Sequence, residues 1–181
     1  MRKVLIEAAT FRPLEREYVK NRPELRIAST IDDRVIDDLI DSAIEAYEEF
    51  TGNILCLSTW DLYVDAVEFD RIETPAPLVS ATITYLDSAG ASQTLATTVY
   101  KVDTTSPLVG RITRKYGQSW PTLYDESNAI TVRIVAGYAD ANSIPRRIKD
   151  GLLAKMQEIY YGINMSGVYE TCWANYRRMP I

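Results

Sequence analysis

Hydrophobic positions follow two rhythms along the chain. Between residues 31 and 51, Ile36, Ile40, Ala43, Tyr47 and Phe50 recur at helical spacing, and Leu39 and Ile44 widen the stripe. Thr30 suits an N-cap, Asp32 and Asp33 suit the positive end of the helix dipole, and Gly52 stands where a C-terminal cap belongs. Over residues 53–138 the period shortens to two. Trp60, Leu62 and Val64 alternate with Asp61, Tyr63 and Asp65, and Val79, Ala81, Ile83 and Tyr85 repeat the pattern. Asp87-Ser88-Ala89-Gly90 reads as a turn into a short strand near Gln93 to Leu95. Tyr100 with Val102, then Ile130, Val132 and Ile134, alternate again up to Gly137. These predict four or five short strands with no crossover helices between them, hence an antiparallel sheet.

A second helix is predicted over residues 144–161. Its stripe is Ile148, Leu152, Met156 and Ile159 or Tyr160, with Pro145 in the first turn and Gly162 as the stop. Gly151 inside it costs roughly 1 kcal/mol relative to Ala. Either another backbone packs closely there or the cost is tolerated. Residues 1–28, with Pro13, Pro23 and a short helix over Leu14 to Asn21, read as an N-terminal arm. Residues 29–162 form the main domain, and residues 163–181 a C-terminal tail. The predicted fold class is α+β: helix, short-stranded antiparallel β-sheet, helix, with extended N- and C-terminal arms.

A length of 181 residues and 46% hydrophobic content fit one domain with a real core. Cys56 and Cys172 stand in no motif, so a reducing compartment is expected. The apolar run Val4-Leu5-Ile6 is too short for a signal peptide, and no stretch approaches a membrane span. The sequence thus predicts a soluble protein made in a cytoplasm, without membrane partners.

Histidine is absent, which excludes Ser-His-Asp and Cys-His catalysis and His-ligated zinc. The eight glycines form neither a phosphate loop nor a dinucleotide fingerprint. Cys56, in Ile54-Leu55-Cys56-Leu57, reads as a buried small hydrophobe. Asp125-Glu126 lies in the long connection from Tyr116 to Asn128, with nothing nearby to specify a substrate. No enzyme activity, metal or cofactor is expected. The net charge of −5 argues against a phosphate-gripping surface.

Two segments carry more signal. Asp37, Asp38, Asp41, Glu45, Glu48 and Glu49 oppose the apolar stripe of the first helix, behind Asp32 and Asp33. Like charges four residues apart repel, and Glu48 and Glu49 crowd the negative end of the dipole. Such a helix is a solvated face, meets a basic partner, or presents a wall that DNA does not stick to. The tail gathers Tyr169, Trp173, Tyr176, Arg177 and Arg178, residue types that anchor interfaces. It is expected to dock on another chain; the alternative is that it folds back over its own domain.

In order, these stretches resemble the head-tail connector (adaptor) family of tailed bacteriophages, prophages and gene transfer agents. The resemblance runs through Ala46-Tyr47-Glu48-Glu49-Phe50-Thr51-Gly52, Thr59-Trp60-Asp61-Leu62, Pro75-Ala76-Pro77-Leu78 and Ile83-Thr84-Tyr85-Leu86-Asp87. It continues through Gly90, Tyr100-Lys101-Val102-Asp103, Ser119-Trp120-Pro121, Asn128-Ala129-Ile130 up to Ala136-Gly137-Tyr138, and Ile144-Pro145, covering about residues 10–162. Asn21 to Glu24 stands as an insertion against the family pattern, and the tail is variable among such proteins.

The resemblance implies a non-enzymatic virion protein of the neck at the capsid vertex, assembled in the host cytoplasm. It implies a twelve-subunit ring beneath the portal whose channel passes double-stranded DNA without binding it specifically. Its partners would be the portal protein, other copies of itself, and the next neck or tail protein. The tail residues Tyr169, Trp173, Tyr176, Arg177 and Arg178 would dock on the portal, and the acidic helix face would line the channel or contact a neighbouring subunit. Competing readings are a tail-completion or stopper protein of the same neck, with residues 104–128 as its channel loop, and a small carbohydrate- or peptide-binding module using Trp60, Trp120 and Tyr124.

Overall fold

The structure, a computed structural model, describes residues 2–22, 25, 33–65 and 71–178. The expected cap at Thr30 and Asp32 lies outside the described residues. The described residues form four α-helices and two antiparallel sheets, an α+β fold. They divide into two compact units, Met1–Ala9 with Leu57–Gly137 and Thr10–Cys56 with Tyr138–Ile181.

The first unit holds both sheets. β1 (Arg2–Glu7), β2 (Ser58–Val64), β4 (Leu78–Leu86), β5 (Ser92–Thr94) and β8 (Ile130–Ala136) form one sheet in the order β1-β2-β8-β4-β5. The register sets Leu62 opposite Val132 and Val132 opposite Ile83, so the period-two pattern becomes one buried apolar row. The opposite face is polar. There Asp61 lies across from Arg133, which holds it with two bonds of 2.8 Å each. That charge-assisted fork keeps buried Asp61 ionised, its pKa held below the ordinary carboxylate value.

The smaller sheet, in the order β3-β7-β6, comprises β3 (Arg71–Thr74), β6 (Tyr100–Asp103) and β7 (Gly110–Arg114). A Cβ on Gly110 would stand 2.3 Å from Thr74 Oγ1 and 2.7 Å from Leu78 Cβ, so only glycine fits where β7 begins. Seven strands therefore lie among the described residues of 53–138, where four or five were expected. β7 escapes a pattern reading because Ile112 is its single large apolar residue, between Arg111 and Thr113. The first residues, expected as part of an arm, form β1 and pair antiparallel with β2.

The second unit is helical. It contains α1 (Arg16–Lys20), α2 (Asp33–Thr51), α3 (Arg146–Tyr161), α4 (Ser166–Trp173) and a short 3-10 turn, Ala174–Tyr176. The stripe Ile36, Leu39, Ile40, Ala43 and Tyr47 is buried, as its spacing predicts, and α2 packs against α3, whose Ile148, Leu152 and Met156 are buried too. Gly162 takes the left-handed conformation and caps α3 by donating its N–H to the Glu158 carbonyl. The tail adds α4, which lies against both α2 and α3.

Candidate functional site

The acidic face of α2 is not uniform. Asp33, Asp37 and Asp41 stand one turn apart on α2, and Arg12, Arg16 and Lys20 stand at the same spacing on the preceding segment. Arg16 donates from Nε to Asp37 Oδ1 at 2.7 Å and from Nη2 to Asp37 Oδ2 at 2.5 Å. Arg12 bridges Asp37 at 2.5 Å and Asp41 at 2.8 Å, and Lys20 reaches Asp33 at 2.5 Å. The Arg16 hydrogen bonds, with those of Arg12, hold Asp37 far below the usual carboxylate range, and both arginines are pushed further above theirs. The basic partner that this helix calls for is thus supplied, in its first half, by the chain itself.

Further along, Glu48 accepts the backbone N–H of Leu55 at 2.9 Å, which explains an acid at the negative end of the dipole. That hydrogen bond closes the turn out of the helix. Asp38, Glu45 and Glu49 remain exposed on α2. These three, with the outer part of Asp41, form the exposed acidic part of α2 itself.

Trp173 is fully buried within the helical unit. Its ring meets Tyr47 edge-on at 5.5 Å, lies 5.0 Å from Tyr169 and 6.1 Å from Phe50, and its Nε1 donates to the Ile148 carbonyl at 3.2 Å. A Cβ on Gly151 would stand 2.2 Å from that nitrogen. Gly151 is therefore a close-packing site, but against an indole and not a backbone. As placed, Trp173 is a core residue of its own chain, and a docking role for the tail would rest on its neighbours.

Those neighbours are tied down but more accessible. Tyr169 Oη lies 3.5 Å from both Lys155 Nζ and Glu158 Oε1, and the Lys155 ammonium also sits 4.8 Å from the Tyr169 ring centroid. Glu158 is held below its ordinary pKa by Lys155 and by the Met165 N–H. The Tyr176 carbonyl accepts from Asn53 Nδ2 at 2.9 Å, and the Arg178 N–H donates to the Thr51 carbonyl at 2.8 Å. Exposed Arg177 lies over the Phe50 ring at 5.5 Å.

Other sequence candidates fall into structural roles. Cys56 is buried, which pushes its thiol up to about 12. Asp125 and Glu126 sit exposed on a loop. The described residues contain no group of three side chains able to hold a metal ion. Trp60 donates to Ser58 Oγ at 2.8 Å beneath the Lys3 ammonium, and Trp120 lines a small apolar cavity with Ile72, Ile83, Tyr85, Leu95 and Ile130. Of the three aromatics considered as a binding platform, Tyr124 alone is exposed.

Residues 104–128, the candidate channel loop of the stopper reading, are partly strand and partly anchored. Leu123 forms an antiparallel bridge to Asp87, and the Tyr124 N–H donates to the Leu86 carbonyl at 3.0 Å. Tyr116 is fully exposed in the tight turn before Gln118.

No protein-family model matches the sequence, and no curated protein matches it. Solved structures do match the fold. A chain from the virion of a native gene transfer agent particle aligns with a TM-score of 0.82 at 17% identity, covering 100% of this chain and 97% of that one. Chains from the neck of an empty gene transfer agent particle, computed with C6 symmetry, and from the neck of a native one, computed with C12 symmetry, align with TM-scores of 0.80 and 0.73. Their identity and coverage are the same, 17% over 100% of this chain and 97% of theirs. At this identity the likeness is one of fold.

Proposed function

We propose that this chain is a structural subunit of a virion neck: a head-tail connector, or adaptor, that forms a ring beneath the portal and joins capsid to tail. The observation that carries the reading is a fold likeness to neck chains of gene transfer agents that spans the whole of this chain. The order of short stretches shared with head-tail connectors points the same way, and C12 symmetry in one of those necks fits a ring of twelve. The protein has no catalytic role and needs no cofactor.

Its partners are the portal protein, further copies of itself and the next neck or tail protein. Double-stranded DNA passes the ring without specific binding, because Asp38, Glu45 and Glu49 repel phosphates. Arg177, Tyr169, Tyr176 and Arg178 dock on the portal from the surface of the helical unit, and Trp173 holds them in place from its core. A stopper of the same neck is the alternative; β7 and the Leu123 bridge, which take up part of residues 104–128, support the adaptor reading.

Mass measurement of the purified protein with and without its portal, over a concentration series, tests the ring. A closed assembly on the portal is expected. A chain that ignores the portal even at high concentration overturns the reading.

A further inference from the structure

The two edges of the larger sheet differ. β5 offers three exposed polar residues, Ser92, Gln93 and Thr94, and so short an edge is a poor template for another strand. β1 is twice as long, and no strand among the described residues pairs with its outer side. Leu5 and Ile6 are 46% and 43% exposed on it.

Charged side chains usually protect such an edge. Those of β1 stand at its two ends, where they rest on β2, and leave Val4, Leu5 and Ile6 between them uncharged. The Arg2 guanidinium lies 5.1 Å from the Tyr63 ring centroid, the Lys3 ammonium 4.9 Å from that of Trp60, and Glu7 Oε2 accepts from Thr59 Oγ1 at 3.1 Å. The outer N–H and C=O groups of the strand are left facing outward beside apolar side chains.

The geometry points to a second copy of the same strand as the occupant of this edge. Antiparallel pairing about a two-fold axis at Val4 sets Lys3 opposite Leu5 and Arg2 opposite Glu7. Arg2, Val4 and Glu7 share one face of the sheet, because they pair with Tyr63, Asp61 and Thr59 on alternate positions of β2. The register shift between Leu5 and Glu7 is absorbed at Ile6 on each strand. The charge order of the strand, basic at its start and acidic at its end, is thus self-complementary when reversed.

A two-fold contact closes on itself and does not propagate into a ring. It therefore describes the free chain and is independent of the neck reading.

Sedimentation equilibrium of the full chain without portal tests it, paired with hydrogen exchange at two protein concentrations. A dimer is expected, with β1 amides more protected at the higher concentration. Arg2→Glu sets like charges opposite one another at both ends and weakens the dimer by roughly tenfold; Arg2→Glu with Glu7→Arg restores it. Should the variants fold poorly, the exchange data on the unaltered chain decide alone. A monomer at every concentration overturns the proposal. So does any oligomer whose β1 amides exchange at a concentration-independent rate, since association then runs through another surface.

Discussion

Arg16 grips Asp37 with both arms of its guanidinium, Nε at 2.7 Å and Nη2 at 2.5 Å, across 21 residues of sequence. This contact ties the segment before α2 to the acidic face of that helix. It also turns part of an apparent repulsive ladder into an internal ion network.

The sign of the pH dependence follows from the lowered pKa of Asp37. Its contribution is fully present above the unfolded carboxylate value of about 4 and is lost as pH falls below it. Melting temperature against pH should therefore fall less steeply in acid for Asp37→Asn than for the unaltered chain, from a lower value at neutral pH. Parallel curves would show that the pair contributes nothing to folding.

Salt should loosen the same network, since its two arginines are solvent-exposed. Hydrogen exchange over residues 15–22 is expected to accelerate at about 1 M salt, where screening acts within roughly 3 Å. The amides of α3, held by apolar packing, should change far less.

Trp173→Ala should lower the melting temperature markedly. Emptying a buried Trp site costs roughly 3–5 kcal/mol, and a chain of this size loses about 2–4 °C per kcal/mol. Gly151→Ala should destabilise by roughly 1–3 kcal/mol through overpacking against the same indole, and should shift tryptophan fluorescence to the red. A Trp173→Ala protein with unchanged melting would mean that the tail lies free of its own unit.

The two thiols should differ in reactivity. Cys56, buried and raised to about 12, should resist alkylation at pH 8 until the chain unfolds. Cys172, half-buried on α4, should react first. Mass spectrometry of partly labelled protein distinguishes the sites, and early label on Cys56 would contradict its placement.

Duplex DNA should bind weakly or not at all at physiological salt. A net charge of −5 and the exposed carboxylates of α2 leave little to neutralise phosphates. Submicromolar affinity in a fluorescence anisotropy titration would refute the acidic-surface reading.

Periodicity alone placed α2, α3 and the strands β2, β4 and β8, because each buries one apolar stripe or row and the repeat records it. Of two charge ladders with matched spacing, Arg12, Arg16 and Lys20 against Asp33, Asp37 and Asp41, sequence reasoning singled out only the acidic one. Nothing local says that the ladders face each other, and only the fold of the chain before α2 brings them together. Neither β1 nor β7 announces itself: Val4, Leu5 and Ile6 run together without the period-two alternation, and β7 has Ile112 as its single large apolar residue. Composition likewise identified the tail as adhesive without naming its target. Aromatic residues seek burial wherever a complementary cavity exists, and tertiary structure provides one for Trp173 between Tyr47, Phe50 and Gly151.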